Sequence, residues 1–188
     1  GALPHAACQR GTNELIRQVV WFKRDLRCHD HAPLAAAAAR GPVLALYVIE
    51  PDLWQQPDSS SRHWQFIRES LIELSQALGG LGGELVIQIG SLTQVLQQLR
   101  LAFGVFELHS HEETGNAWTY ARDLQVAGWC STNGIVWREY PSNGVIRRLG
   151  NRDRWAALRN ATMRPAIATD ERLQRFFDTG LAPRAFLE

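Results

Sequence analysis

At 188 residues, with 45% apolar and 21% charged content, the chain is sized for one globular domain with a substantial core, and it fits neither a disordered nor a membrane-embedded class. Its 20 Lys and Arg against 19 Asp and Glu leave a net charge of +1, which argues against a strongly electropositive nucleic-acid face. Cys8, Cys28 and Cys130 form no C-x-x-C pair and no apolar run has signal-peptide or membrane-span length, so a disulfide scaffold and a zinc site are not indicated and a cytoplasmic setting is expected.

Residues 1–16 read as a tail. The first element is a buried strand from Arg17 to Phe22 that runs straight into the charged turn Lys23-Arg24-Asp25-Leu26-Arg27. A helix follows, with Asp30 placed to cap it, Pro33 in its first turn, an alanine-rich body from Leu34 to Ala39, and Gly41-Pro42 as its stop. The second strand spans Val43 to Ile49. Ser59-Ser60-Ser61 then precedes a helix carrying Trp64, Ile67, Leu71, Leu74 and Leu78 at three-and-four spacing, a core-packing stripe closed by Gly79-Gly80 and Gly82-Gly83.

The third strand is Leu85 to Ile89, and Leu92, Val95, Leu96 and Leu99 mark the next helix. The fourth strand runs from Val105 to His109. After it, Ala117, Ala121, Leu124 and Gly128 put small residues on one face of a helix, expected to lie close against the sheet. The fifth strand is Ile135 to Tyr140, Pro141-Ser142-Asn143-Gly144 is a turn, Asn151 to Asn160 suggests a short helix, and Thr162 to Glu188 reads as linker. The domain is expected over 17–141, with 142–188 as a post-domain segment.

Continuous apolar strands alternating with helical segments predict an α/β fold: a doubly wound, five-stranded parallel sheet in the order 3-2-1-4-5 with helices on both faces. In such a sheet ligands bind beyond the carboxyl ends of the strands where the order reverses, here between strands one and four. That places Phe22, Lys23, Arg24, Asp25 and Arg27, and the run from His109 to Gly115, at the site, with Tyr47, Ile49 and Glu50 ending strand two and Gly90 ending strand three.

No G-x-G-x-x-G and no P-loop follows any strand, which removes the best support for a dinucleotide dehydrogenase or a phosphate-loop enzyme. Lys23 or Arg24 could hold an anion, whereas Asp25 paired with Arg24 or Arg27 would only fix the turn. Cys28, His29 and His31, with His109 and His111, match no metal-ligand spacing, and capping or surface roles suit them better. Ser110 beside His109 lacks a nucleophile elbow. Glu112 and Glu113 form a negative pair at a helix N-terminus, where the helix dipole favours them.

The tracts VVWFKRDLRCHDHAPLAAAA and PVLALYVIEPDLW resemble the opening of the DNA photolyase and cryptochrome family. The resemblance continues through SSRHWQFIRESLIELSQALGGLGGELVIQIGSLTQVLQQL and HEETGNAWTYARDLQVAGWC, with its Arg122-Asp123, to NGVIRRLGNRDRWAALRNATM. It covers roughly Val19 to Met163. It implies a Rossmann-like N-terminal α/β domain, ahead of an all-helical domain that holds FAD and takes the damaged DNA base from the duplex; this chain would stop within the linker between the two. The parent would be a light-driven deoxyribodipyrimidine photolyase that splits cyclobutane pyrimidine dimers, and this part alone would not be catalytic.

By the same resemblance, the α/β domain holds an antenna chromophore that passes energy to the FAD. The matching positions are Lys23, Arg24, Asp25 and Arg27 after strand one and Ile49 and Glu50 after strand two, with Phe22, Tyr47 and Ile49 as ring walls; Gly90, Ser110 and Glu112 join them from their place at the switch point. Two departures matter. Glu50 stands where antenna-binding members often carry Asp, and the folate-type tract before the fourth crossover helix is replaced by His111-Glu112-Glu113-Thr114-Gly115-Asn116, which favours a flavin or deazaflavin over a folate and leaves an empty pocket as the alternative. Trp64 and Trp118 read as core or pocket wall. The partners implied are the helical domain of the same parent chain and, through it, damaged DNA. A cryptochrome photoreceptor fragment and a stand-alone nucleotide-binding protein are the competing readings.

Overall fold

The computed structural model describes residues 15–56 and 61–142. The expected tail, the helix at Asn151 to Asn160 and the linker lie outside the described residues, apart from Leu15, Ile16, Pro141 and Ser142 at their borders. Strand β1 (Arg17–Phe22) leads through helix α1 (Ala32–Arg40) to β2 (Val43–Ile49), and a one-turn helix α2 (Pro51–Trp54) precedes the long helix α3 (Ser61–Gly80). Then follow β3 (Leu85–Ile89), α4 (Leu92–Phe103), β4 (Phe106–His111), α5 (Ala117–Asn133) and β5 (Val136–Tyr140). The five strands pair in the order β3-β2-β1-β4-β5, every pair parallel, as the sequence predicts. Among the described residues no helix is long and apolar enough to cross a membrane.

The inner strands β1 and β2 read as nearly unbroken apolar runs because each face of the sheet has its own cover there, whereas the edge strand β5 is only partly covered. Val20 and Phe22 of β1 pack with Tyr47 and Ile49 against Leu34 and Ala37 of α1 and Trp64, Leu71, Leu74 and Leu78 of α3. The alternate residues Val19 and Trp21 pack with Leu46 and Val48 against Val95, Leu96 and Leu99 of α4 and Val126 and Cys130 of α5. Each fully buried leucine in these layers contributes through both burial and the cavity its loss would leave, about 2 to 5 kcal/mol on truncation to alanine.

Three expectations are corrected. Helix α1 is capped by His31 rather than Asp30: the His31 ring accepts the Leu34 N–H at 3.1 Å, while Asp30 takes the left-handed φ of +51° that lets the chain turn into the cap. Strand β4 continues beyond His109 through Ser110 and His111, which pair with Glu139 and Tyr140 of β5. These polar side chains stay buried because Trp137 donates its ring N–H to Ser110 Oγ and His111 is bound by Asp25.

The third correction concerns α5. Ala117, Ala121, Leu124 and Gly128 face solvent, and the buried stripe is Thr119, Arg122, Asp123, Val126 and Cys130. That stripe has the three-and-four spacing of a core face, but a charged pair sits in its middle. A charge on the sheet side is tolerated only if it is paired there, and the pairing is what builds the site.

Candidate functional site

At the carboxyl ends of β1 and β2 lies a small cleft of about 120 Å³, partly open to solvent, reached by α2 and α3 on one side and the start of α5 on the other. Trp21, Phe22, Tyr47 and Trp54 supply ring surface, and Lys23, Arg24, Glu50, Glu113 and Arg122 supply charge. Ring surface combined with convergent polar groups is a feature small-molecule sites share, though here charged and polar residues make up about half the lining. A second cleft, behind Glu50, is bounded by Gly90 and Ser91 at the end of β3 and by Trp118 and Arg122 of α5.

The cleft is floored by a buried ion network. Arg122 donates through Nη1 to Glu50 Oε2 at 2.5 Å, through Nη2 to Glu113 Oε2 at 2.5 Å and through Nε to Asp123 Oδ1 at 2.8 Å. Lys23 Nζ donates to Asp123 Oδ2 at 2.7 Å, lies 3.6 Å from Glu113, and sits 4.3 Å over the Trp21 ring. Glu113 Oε1 accepts the backbone N–H of Thr114 and Gly115, which fixes the turn into α5. A Cβ on Gly115 would come within 2.4 Å of Thr119 Oγ1, 2.6 Å of Arg24 Nη2 and 2.7 Å of Glu113 Oε1, so a larger residue here would have to displace the ends of these side chains.

Burial alone would lower the basicity of Arg122, but its three carboxylates hold its pKa above the ordinary value. Burial would raise Glu113, yet Lys23 and Arg122 keep it below the usual carboxylate range. Glu50 goes the other way: burial lifts it to about 7, and the single Arg122 contact only partly offsets this. Its other oxygen, Oε1, is buried with no hydrogen-bond partner among the described residues.

The second cluster centres on Asp25. Its Oδ1 accepts the Lys23 backbone N–H at 2.8 Å, and its Oδ2 accepts from both His31 Nε2 and His111 Nδ1. The expected pairing of Asp25 with Arg24 or Arg27 is therefore replaced by two histidines, one from each side of the switch point. Burial would raise Asp25, but the bonds from His111 and His31 hold it far below the ordinary range. Burial keeps His31 below its ordinary value despite Asp25.

Asp25, His31 and His111 offer ligand atoms within 4.8 Å of one another, a spacing a metal could use. The bonding argues otherwise. His31 Nδ1 accepts the Leu34 N–H, so Nε2 carries the ring proton and donates it to Asp25, which leaves no lone pair there for a cation.

The eleven positions singled out from sequence divide by location. Phe22, Lys23, Arg24, Tyr47 and Glu50 line the main cleft, and Gly90 lines the second. Lys23, Arg24, Asp25, Arg27 and Glu112 line an open groove on the outer side of the charged turn. Ile49 is buried in the α1 and α3 core, and Ser110 is buried beneath Trp137. Trp21, Trp54, Asn116, Thr119 and Arg122 also line the main cleft without having been placed at the site, and Glu113 lines it as part of the run from His109 to Gly115. For Arg122 and Asp123 the signal was present as a charged pair on an apolar helical stripe; for Trp54, the register of α2 was not legible.

The fold and this cleft define the chain as a doubly wound α/β domain with a cleft at the switch point. A model of the DNA photolyase family matches residues 18–150. Cryptochrome DASH of Gloeobacter violaceus is 32% identical over 116 residues, covering 58% of this chain and 23% of that protein. Deoxyribodipyrimidine photo-lyase of Vibrio cholerae is 29% identical over 142 residues, covering 69% of this chain and 28% of that protein. In structure, an archaeal photolyase from Sulfolobus tokodaii superposes with a TM-score of 0.60 at 24% identity, over 67% of this chain and 29% of that one. The chain belongs to the DNA photolyase family and carries the family's N-terminal α/β domain. It spans less than a third of the length of each of these relatives.

Proposed function

We propose that this chain is the chromophore-holding domain of a deoxyribodipyrimidine photolyase. The observation that carries the reading is the ring-walled cleft at the switch point, floored by a fixed ion network and containing a buried acceptor with no partner in the described chain. Phe22, Tyr47 and Trp54, which share the α3 side of the sheet, would wall a planar heteroaromatic ring, and Glu50 would lie at its polar edge. Arg24, exposed at the mouth, would meet an acidic tail. When bound, such a pigment supplies light absorption and energy transfer to the FAD of a helical domain.

Energy transfer requires a rigid ring at a fixed distance and orientation rather than bond chemistry, so the residues here bind and orient. Flavin or deazaflavin chemistry suits the site better than folate. The Sulfolobus tokodaii photolyase, described as holding two FAD molecules with a light-harvesting cofactor implied, supports a flavin-type guest. The parent protein, placed in the cytoplasm, would carry the FAD-binding helical domain and through it engage damaged DNA. The cryptochrome names among the relatives favour a second reading, a photoreceptor built on the same domain.

Two measurements test this. Purified chain should take up flavin mononucleotide or a deazaflavin with a red-shifted, structured absorbance band; no uptake of flavin, deazaflavin or folate at high micromolar concentration rejects the chromophore role. The parent protein should remove pyrimidine dimers from an oligonucleotide under near-ultraviolet light; uptake of pigment without light-dependent repair selects the cryptochrome reading.

A further inference from the structure

The loop from β1 ends on His31, which caps α1 and is only 1% exposed. Helix caps are usually Ser, Thr, Asp or Asn, whose oxygen stays an acceptor at any ordinary pH. Here the acceptor is a ring nitrogen: His31 Nδ1 takes the Leu34 N–H at 3.1 Å, while Nε2 donates to Asp25 Oδ2. Both bonds exist together only in the neutral ring that carries its proton on Nε2. An imidazolium has no lone pair, so a second proton, on Nδ1, turns the capping acceptor into a donor facing the Leu34 N–H.

His31 ties together three parts of the switch point. Through Asp25 it anchors the charged turn, since Asp25 Oδ1 takes the Lys23 N–H at 2.8 Å. Through the cap it fixes the first turn of α1, where Leu34 is buried in the core. Its ring lies 4.6 Å from that of Phe22, which lines the main cleft. The charged and titratable groups facing His31 are Asp25 and Arg27 of the turn and His111 of β4, whose ring stands 4.7 Å away. From α1 and β1 it meets the Leu34 N–H and the Phe22 ring, neither of which titrates. Burial is the largest influence and opposes a charged ring; Asp25 favours one, and His111 and Arg27 oppose it. Asp25 Oδ2 also accepts the His111 N–H at 2.5 Å, so one carboxylate oxygen serves both rings.

We infer that His31 is a proton-operated latch: neutral, it ties the charged turn to the N-terminus of α1; protonated from solvent on Nδ1, it releases the cap and lets the first turn of α1 open beside the Phe22 wall of the cleft. The closed latch needs the neutral ring, whereas the opened ring takes its proton at the ordinary histidine value of 6.5. Closure is therefore fullest above 6.5 and weakens as pH falls below it. The latch operates whether or not the cleft holds a guest.

The test is NMR of the whole ¹⁵N-labelled chain, titrated from about pH 7.5 to about pH 5, across the ordinary histidine range. At the upper end the His31 ring should show an unprotonated Nδ1 and a protonated Nε2. As pH falls, protection of the Leu34 amide, corrected for the intrinsic effect of pH on exchange, should drop about tenfold, the size of a lost helix cap. The drop should share its midpoint with the ring, while the β2 amide signals keep their folded positions. His31→Asn supplies a capping oxygen that does not titrate, and its Leu34 protection should change less than about twofold over the same range. An equal drop in that variant overturns the latch, as does Leu34 protection in the unmodified protein that ignores pH. Should His31→Asn fail to fold, the ring signals of the unmodified protein decide: a proton on Nδ1 at neutral pH, or ring titration that leaves the Leu34 signal unmoved, overturns it. Loss of the folded β2 signals over the same range makes the event unfolding of the domain and likewise overturns the latch.

Discussion

The charged turn after β1 feeds two buried clusters that differ in one respect. On the α1 side, Asp25 satisfies a backbone N–H and two histidines, and His31 in turn caps α1. On the α5 side, Lys23 and Arg122 bind three carboxylates, but Glu50 keeps one oxygen unpaired beside an open cleft. Both clusters desolvate charge at the same switch point. The difference teaches that a cluster whose every acceptor is filled braces the fold, whereas a buried acceptor left unfilled keeps a free-energy cost that a neighbouring donor can remove.

The strongest way to break this comparison is to remove the hub of the open cluster. Arg122→Met leaves Glu50, Glu113 and Asp123 facing one another without their shared cation, and should cost about 3 to 5 kcal/mol in urea unfolding. A loss below 1 kcal/mol would mean the network is solvent-screened and not the floor of the cleft. Next in size, Asp25→Ala strands the Lys23 N–H and the two histidine donors and should cost about 2 to 3 kcal/mol. Flavin affinity should barely change, since Asp25 is absent from the main cleft; a large drop in binding would erase the distinction between the clusters.

Gly115→Ala pushes the new methyl onto Thr119 Oγ1, Arg24 and Glu113 and should cost about 1 to 2 kcal/mol, read as a lower thermal midpoint. The clusters should also show opposite pH slopes. Glu50, raised by burial to about 7 from 4.5, binds its proton more tightly when folded, so its contribution is fullest below 4.5 and is lost as pH rises through about 7. His31, lowered by burial from 6.5, is the reverse: its contribution is present above 6.5 and lost as pH falls below it. Glu50→Gln should therefore gain stability relative to the unmodified protein as pH is raised from 5 to 8 (about the range spanned by these shifts); equal slopes in the two proteins would show that Glu50 stays ionised. The smallest effect is Arg24→Ala, expected to leave stability within about 0.5 kcal/mol while weakening flavin mononucleotide several-fold and riboflavin hardly at all.

The strands were legible because continuous apolar runs bounded by Gly and Pro can be read locally, and β2 and β3 have the predicted limits. Strand β4 ran longer than predicted because Ser110 and His111 look like loop residues until their buried partners are known. Helix α5 was turned the wrong way for the same reason. A small-residue face is a plausible core face by composition, and only the ion partners of Arg122 and Asp123 make the charged stripe the buried one.

Local pattern determined the elements, their parallel order and the place where a ligand site would lie, since hydrophobic period and crossover length act within a few tens of residues. Which charges meet there was decided by the assembled sheet alone. Arg122 lies 72 residues from Glu50, Lys23 lies 100 from Asp123, and His111 lies 86 from Asp25. No spacing rule links residues that far apart. They meet because reversal of strand order at β1 brings the ends of β1, β2 and β4 and the start of α5 around one cleft, where burial makes each charge depend on its partner.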